Sequence, residues 1–419
     1  MIVKQLIIFI FCIASTLLSF SQDLLVLDGG NIYAQSNSSI TVQGGILNTN
    51  NGTIDNSGII YTSGDWTNNG GNTFLINNSP GWVELNGNSQ TIQGNSTTNF
   101  ASLRLSGTVG SVKTLDINTN INDTLDLESN ELQTKDFILY VNNPDVNSIL
   151  WNTGYVSSDY LGGYLVRQTN TNTAYTFPVG SSGLLGIYRA VHVKPSSSSA
   201  NSYGVRLVAI NPGIDYSGTS ASGATGPFDE FALGNSVEIV NTNFYHNIFQ
   251  FSGSDAIDVS IDYFSADGYF NSLAQWDASS SLWENIDFAS VNSSSGASLN
   301  NPDYMMTKPA VSNFNHDVFA LIMKDSVIPT EVYIPNTFSP NGDGFNDVLY
   351  IRGETIAVFE FKLYNRWGEK IFETTKQSIG WDGTQKGIDL DPGVFVYQLI
   401  YTNTNTQQKQ ISGNITLIR

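Results

Sequence analysis

The stretch "SITVQGGILNTNNGTIDNSGIIYTSGDW" (residues 39–66) decides how the first third of the chain folds. Its apolar pieces are only strand-long, Gly and Asn separate them, and helical periodicity is absent. The same texture runs from Asp23 to about Pro144, through "GWVELNG" (81–87), "QTIQG" (90–94) and "ASLRLSG" (101–107), with Gly pairs at 29–30, 44–45 and 70–71. Short strands with Gly and Asn turns predict a parallel β-solenoid, whose stacked coils bury a narrow apolar column while Asn and Thr face outward. The spacing is too irregular to yield a period. For this region, 22–150, an antiparallel sandwich is the alternative.

From 151 to 328 the strands lengthen and alternate, as in "YRAVHV" (188–193), "YGVRLVAI" (203–210), "NIFQFSG" (247–253) and "AIDVSIDYF" (256–264). In the last, Ile257, Val259, Ile261 and Tyr263 share one face and Asp258, Ser260 and Asp262 the other, the pattern of a half-buried antiparallel strand. "AQWDASSSLWENI" (274–286) reads as a hairpin with Trp276 and Trp283 near its two sides. This region is expected to be a β-sandwich with a long Gly/Ser/Pro loop at 211–228. Residues 329–419 again read as strands only, and a compact immunoglobulin-like sandwich fits their length. The fold class is therefore all-β throughout.

Composition bounds the function. The chain has 419 residues with 37 acidic against 18 basic side chains, a net charge of −19. Such a field repels phosphate backbones, and no Lys/Arg run offers an electrostatic footprint, so nucleic acid is a poor partner. Residues 1–21 carry Lys4, an apolar run from Leu6 to Leu18, and small residues at Ser19 and Ser21, the layout of a secretory signal peptide. That run is too short for a transmembrane helix, and none is expected in the mature chain. The only cysteine, Cys12, lies inside it, so the mature chain would hold no disulfide or thiolate metal site. Cys12 is also mid-run, which argues against lipidation.

Five ordered blocks stand near the C-terminus: "YIPNTFSPNGDGFND" (333–347), "LYNRWGEKIFE" (363–373), "GWDGT" (380–384), "PGVFVYQLIY" (392–401) and "GNITLIR" (413–419). Together, over 332–419, they closely resemble the gliding-motility-associated C-terminal domain, the type B sorting domain of type IX secretion cargo. The resemblance implies export by the signal peptide, passage through the outer-membrane type IX translocon, and a final place in the medium or on the cell surface. It assigns the sorting signal to Trp367, Gly368, Trp381, Asp382, Gly383, Gly413, Asn414 and Arg419. On the residues themselves, Trp367 and Gly368 suit a tight turn with the indole available to cover an end of the sandwich. The alternation in 394–401 suggests a buried strand, and Arg419 is expected to be a cationic end open to a receptor.

Within "SPNGDGFND" (339–347), Asn341, Asp343, Asp347 and the Phe345 carbonyl offer oxygens at alternating positions, and Gly342 and Gly344 permit a sharp bend. Two readings stand: a weak structural calcium site, lacking the distal Glu of an EF-hand, or a turn held by Asx hydrogen bonds. No other cofactor is expected.

Catalytic motifs are absent. His192, His246 and His316 are far apart without zinc-ligand spacing, and no G-x-S-x-G occurs. A β-solenoid lyase would use a basic residue beside acidic calcium ligands, but between 23 and 143 the only cations are Arg104, Lys113 and Lys135. Trp66, Trp82, Trp276 and Trp283 could stack on sugar rings, though core packing is the commoner use. The chain is therefore expected to be a non-enzymatic structural or adhesive surface protein, with surface glycans or other cells as partners. A carbohydrate-binding or carbohydrate-active cargo is the alternative.

Overall fold

The computed structural model describes residues 18–20, 24–71, 80–158, 162–181, 183, 187–286, 289–293, 302–324, 332–342, 346–351, 358–377, 379–402 and 408–419. The protein is all-β, and the chain forms two compact units, residues 1–324 and 325–419.

The first unit begins as a β-solenoid of about six turns. One face stacks Ser39–Val42, Ile59–Thr62, Trp82–Leu85, Ser102–Leu105, Leu125–Asp126 and Ile149–Leu150 in parallel register. A second stacks Leu24–Leu27, Gly45–Asn48, Trp66–Asn68, Ser89–Gly94, Val112–Leu115, Glu131–Gln133 and Tyr155–Ser157. The strand Leu18–Phe20, inside the segment read as a signal peptide, pairs with Ser39–Val42.

Alternation within each short strand explains the stack. Ile40, Ile60, Val83, Leu103, Leu125 and Ile149 fall in register on one inward column. Ile46, Trp66, Ile92 and Leu115 form another. All ten are buried, so alternate positions of very short strands suffice to build a continuous core.

The Gly/Asn punctuation builds the corners. Asn48 and Asn68 are buried and paired in register; the Asn48 amide donates to Asn68 Oδ1 (3.3 Å), and its Oδ1 accepts the Gly52 N–H (2.9 Å). Asn68 does the same for the Gly70 N–H (3.2 Å). A Cβ on Gly70 would lie 2.4 Å from the Asn48 amide, so this corner admits only glycine. Each inward Asn thereby supplies the partners that a strand-to-strand corner removes from its backbone.

The third face leads out of the solenoid. Thr98–Phe100, Thr119–Ile121, Ile138–Val141 and Tyr164–Thr169 are parallel, and the last then pairs antiparallel with Asn201–Val208. The sheet continues through Tyr245–Ser252, Val318–Lys324, Ser272–Asp277 and Leu282–Asn285. A five-stranded sheet of Tyr175–Phe177, Val191–Pro195, Ile257–Tyr263, Tyr304–Val311 and Ser290–Ser293 adds the second layer. One apolar cluster joins Leu27 in the first coil to Leu321 in this layered region, so regions 22–150 and 151–328 share a core.

Within the layers, Ile257, Val259, Ile261 and Tyr263 are all buried, as their alternation predicts, but Ser260 and Asp262 on the opposite face are buried as well, so the strand is not half-buried as expected. Trp276 pairs directly with Trp283 across the hairpin. The 211–228 segment is tied down. Tyr245 donates to Asp215 (2.7 Å), Ser222 to Asp317 (2.6 Å), and Arg206 to the Thr219 carbonyl.

The second unit carries a five-stranded sheet in the order Thr337–Phe338, Gln408–Leu417, Gly393–Thr402, Val358–Tyr364, Lys370–Thr374. A short ribbon, Thr384–Gln385 with Ile388–Asp389, is separate from it. Phe338, Leu349, Phe361, Leu363, Trp381, Phe395, Leu399, Ile415 and Leu417 form its core. The expectation of a buried strand at 394–401 holds for one of its two faces. Phe395, Leu399 and Tyr401 point inward, but Val394 and Val396 are 54% and 44% exposed, because only one face of the sheet is covered.

Candidate sorting domain and the polar interior

The residues assigned to the sorting signal divide by position. Trp381 is 1% exposed, packs against Phe338 and Phe395 with ring centroids 5.1 and 5.0 Å away, and donates its indole N–H to the Thr384 carbonyl (2.8 Å). Asp382 Oδ1 accepts the Thr384 N–H (3.0 Å) and hydroxyl (2.8 Å), closing the turn behind it. Gly383 has φ +82°, and a Cβ there would meet Pro340 at 2.8 Å. Gly413 lies under Tyr397, whose ring a Cβ would approach to 2.7 Å. These four hold the fold.

Trp367 and Gly368 sit at the hairpin tip between Val358–Tyr364 and Lys370–Thr374, with Gly368 at φ +80°. Trp367 is 81% exposed, so it does not cover an end of the domain as the sequence suggested. Asn414 is exposed on the outer face of its strand. Arg419 is not an open cation: its guanidinium pairs with Asp389 at 2.9 Å, which raises its pKa and lowers that of Asp389 through their hydrogen bond.

In the 339–347 loop, Asp347 Oδ1 accepts the backbone N–H groups of Asn341 (2.9 Å) and Gly342 (2.8 Å), and Ser339 N–H reaches the Asn346 carbonyl (3.0 Å). The two Asp347 bonds reach back five and six residues and close the loop across its ends. Asp343 and Phe345 lie outside the described residues.

Elsewhere the polar groups serve the interior. Trp66, Trp276 and Trp283 are buried in the core, which removes them as sugar platforms; alternation had left their direction open. Trp82 stands on the outer solenoid face with the Arg104 guanidinium 4.6 Å from its ring centroid. Arg104 in turn meets Asp126 at 2.9 Å, Glu84 at 3.7 Å and Glu128 at 3.9 Å, a grouping of residues from three coils that sequence spacing did not reveal. A groove of about 680 Å³ along the solenoid is lined by Leu24, Leu47, Thr67, Gln93 and one carboxylate, Asp65, which accepts the Thr91 N–H (2.8 Å). That lining is not a paired-acid or base-and-acid site.

Two solenoid cations are fully buried. Lys113 points inward and donates to Gly87 O (2.5 Å), Ser106 O (2.7 Å) and Ser111 Oγ (2.5 Å); desolvation pushes its pKa down to about 8. Arg167 ends the inward column Phe100–Ile121–Val141, in register with Val141. It donates to the carbonyls of Val146 (3.0 Å), Asp145 (3.2 Å) and Thr176 (2.5 Å), and its guanidinium lies 5.3 Å from the Tyr175 ring centroid. Burial lowers its pKa to about 10. It closes the polar end of the last coil where the chain turns to antiparallel sheet.

In the layered region, Arg189 and Asp267 form a buried pair, with Nε to Oδ2 at 2.6 Å. His246, fully buried, meets the Arg189 carbonyl through Nε2 (3.0 Å), and desolvation takes its pKa down to about 4. His192 bridges Thr176 Oγ1 at Nδ1 (3.0 Å) and Asp262 at Nε2 (3.1 Å) across three adjacent strands, the sheet-face position its sequence context predicted. Among the described residues, no group of three or more His, Cys, Asp or Glu side chains could hold a metal ion, and no helix is long and apolar enough to cross a membrane.

With the fold in place, the C-terminal unit can be compared with known families. Residues 332–417 match the CHU_C type IX secretion signal domain. The chain is thereby cargo of the type IX secretion system, exported to the cell surface or released, and it interacts with that machinery. Among curated proteins none matches the chain.

Proposed function

We propose that residues 22–324 form a non-enzymatic structural or adhesive module, delivered to the outer surface by the C-terminal signal after a leader at 1–21 has directed export. The observation that carries this reading is the shared apolar core from Leu27 to Leu321, which makes one stiff body of solenoid and layered sheets. Its charged interior side chains, Lys113, Arg167 and the Arg189–Asp267 pair, all hold backbone or each other. The role as proposed uses no cofactor, and in the 339–347 loop Asp347 Oδ1 serves the backbone N–H groups of Asn341 and Gly342.

Surface glycans or neighbouring cells are the partners of this role. The test is binding of the purified full-length chain to whole cells and to a polysaccharide array, with and without calcium. Calcium-independent binding to cells or to itself, with no turnover of any polysaccharide, is the expected result. Cleavage of a glycan would overturn the reading and return attention to the Arg104–Asp126–Glu84 grouping.

A further inference from the structure

Of the positions the sorting signal comprises, those that hold the fold cannot also be what a receptor touches. Trp381, Gly383 and Gly413 are enclosed, and Arg419 is paired with Asp389. Asp382 and Arg419 are exposed too, but Asp382 closes the Thr384 turn and Arg419 pairs with Asp389; the other outward positions are the hairpin tip with Trp367 and the strand face with Asn414.

The tip is rigid. Asn365 Oδ1 accepts the N–H groups of Trp367 (3.0 Å) and Glu369 (3.0 Å), its amide donates to Glu369 Oε2 (3.1 Å), and the Gly368 N–H closes on the Asn365 carbonyl (2.9 Å). The indole is 81% exposed on a turn whose backbone is already hydrogen-bonded, so docking there orders a side chain and little backbone. The Arg366 guanidinium lies 5.3 Å from the Trp367 ring centroid, so the tip presents an aromatic–cation pair. Below it, Tyr364, Val396 and Asn414 form one cross-strand row, with exposed Val394 in the next. Trp, Tyr and Arg clustered on an otherwise solvated surface are the residue types that dominate protein–protein affinity.

Charge separates this unit from the rest. Residues 325–419 hold eight of the 18 Lys and Arg residues against 11 acidic ones, whereas residues 1–324 hold ten against 26. The signal is close to neutral and the body strongly acidic, so an acid-rimmed receptor would attract Arg366 and repel the body.

We infer that the Arg366–Trp367 tip, continued by the Tyr364–Val396–Asn414 row, is the surface on which the type IX secretion machinery reads this chain, through an apolar pocket with an acidic rim. This rests on the match of 332–417 to a secretion signal. Trp367 is then a contact residue, whereas Trp381 only maintains the shape that presents it.

The test expresses full-length variants in a type IX-competent host and measures the ratio of exported to periplasmic chain, with limited proteolysis of the retained pool to report folding. Trp367→Ala is expected to lower that ratio at least tenfold with an unchanged protease-resistant pattern. Arg366→Glu lowers it similarly, Trp367→Phe retains at least half, and Lys409→Glu, an exposed cation away from the tip, changes nothing. Export of Trp367→Ala at the parental ratio overturns the inference, as does loss of its protease-resistant C-terminal unit, which would make the indole structural. Concentration-dependent self-association abolished by Trp367→Ala, with export intact, would also overturn it by giving the tip to a second copy. A chain lacking 332–419 runs alongside: if it too is exported, the secretion-signal reading fails; if it is retained while Trp367→Ala is exported, only the tip assignment fails.

Discussion

The two units use the same uncommon residues in opposite ways. In residues 1–324 the cations Lys113, Arg167, Arg189 and Arg206 are buried and bonded to carbonyls or to one carboxylate, and three of the tryptophans, Trp66, Trp276 and Trp283, are core. In residues 325–419 the cations Lys362, Lys370 and Arg419 make surface ion pairs, and one tryptophan of two stands in solvent. A body with few charged residues uses them to seal coil ends and corners. The signal unit keeps Trp381 in its core and leaves Trp367 in solvent.

The contrast predicts graded effects, the largest in the two cores. Trp66→Ala, which empties the space against Phe100 (ring centroids 5.1 Å), and Trp381→Ala should each cost about 3–5 kcal/mol of their own unit's stability. Urea unfolding followed by unit-specific proteolysis reads this, and a transition in the body shifted by Trp381→Ala would break the separation.

Next, Arg189→Ala leaves Asp267 buried without its partner and should destabilise the body by about 3 kcal/mol or more, seen in the same urea midpoint. An Arg189→Met/Asp267→Leu double variant should recover most of that loss. Failure to recover would mean that the pair does more than neutralise itself.

A smaller effect comes from pH. Lys113 has its folded pKa lowered to about 8 from 10.5, so between these values the unfolded chain binds the proton and the folded chain does not. Body stability should therefore rise as pH climbs from about 8 toward 10.5 and be flat with respect to this group below 8. Lys113→Met should remove that rise in denaturation midpoints across the window; its persistence would assign the slope to another group.

Smallest of all, Trp367→Ala and Arg419→Ala should leave the thermal midpoint of the signal unit nearly unchanged, since one side chain is exposed and the other makes a screened surface pair. A large shift for either would show that the signal's outward residues also hold its fold.

Much of this was legible in the chain itself. The strand pieces of 39–66 alternate so strictly that the inward columns could be expected, and the five C-terminal blocks specified the signal. The coil period was not legible, because successive coils are offset by as few as 19 residues, where Ser111 meets Asn130, and as many as 26, where Gln93 meets Thr67. Nothing in the local sequence marks Arg167 and Lys113 as interior, and only register places them on inward columns. Trp66 and Trp367 show the same ambiguity from both sides: an indole beside a Gly turn packs or projects according to strand pairings made elsewhere.

The most direct measurement of the central claim is fractionation of a type IX-competent host expressing the chain with residues 332–419 removed, with limited proteolysis of the recovered protein. A folded, protease-resistant body of solenoid and layered sheets confined to the periplasm is the expected result. The same body recovered from the cell surface or medium at the full-length level would contradict it.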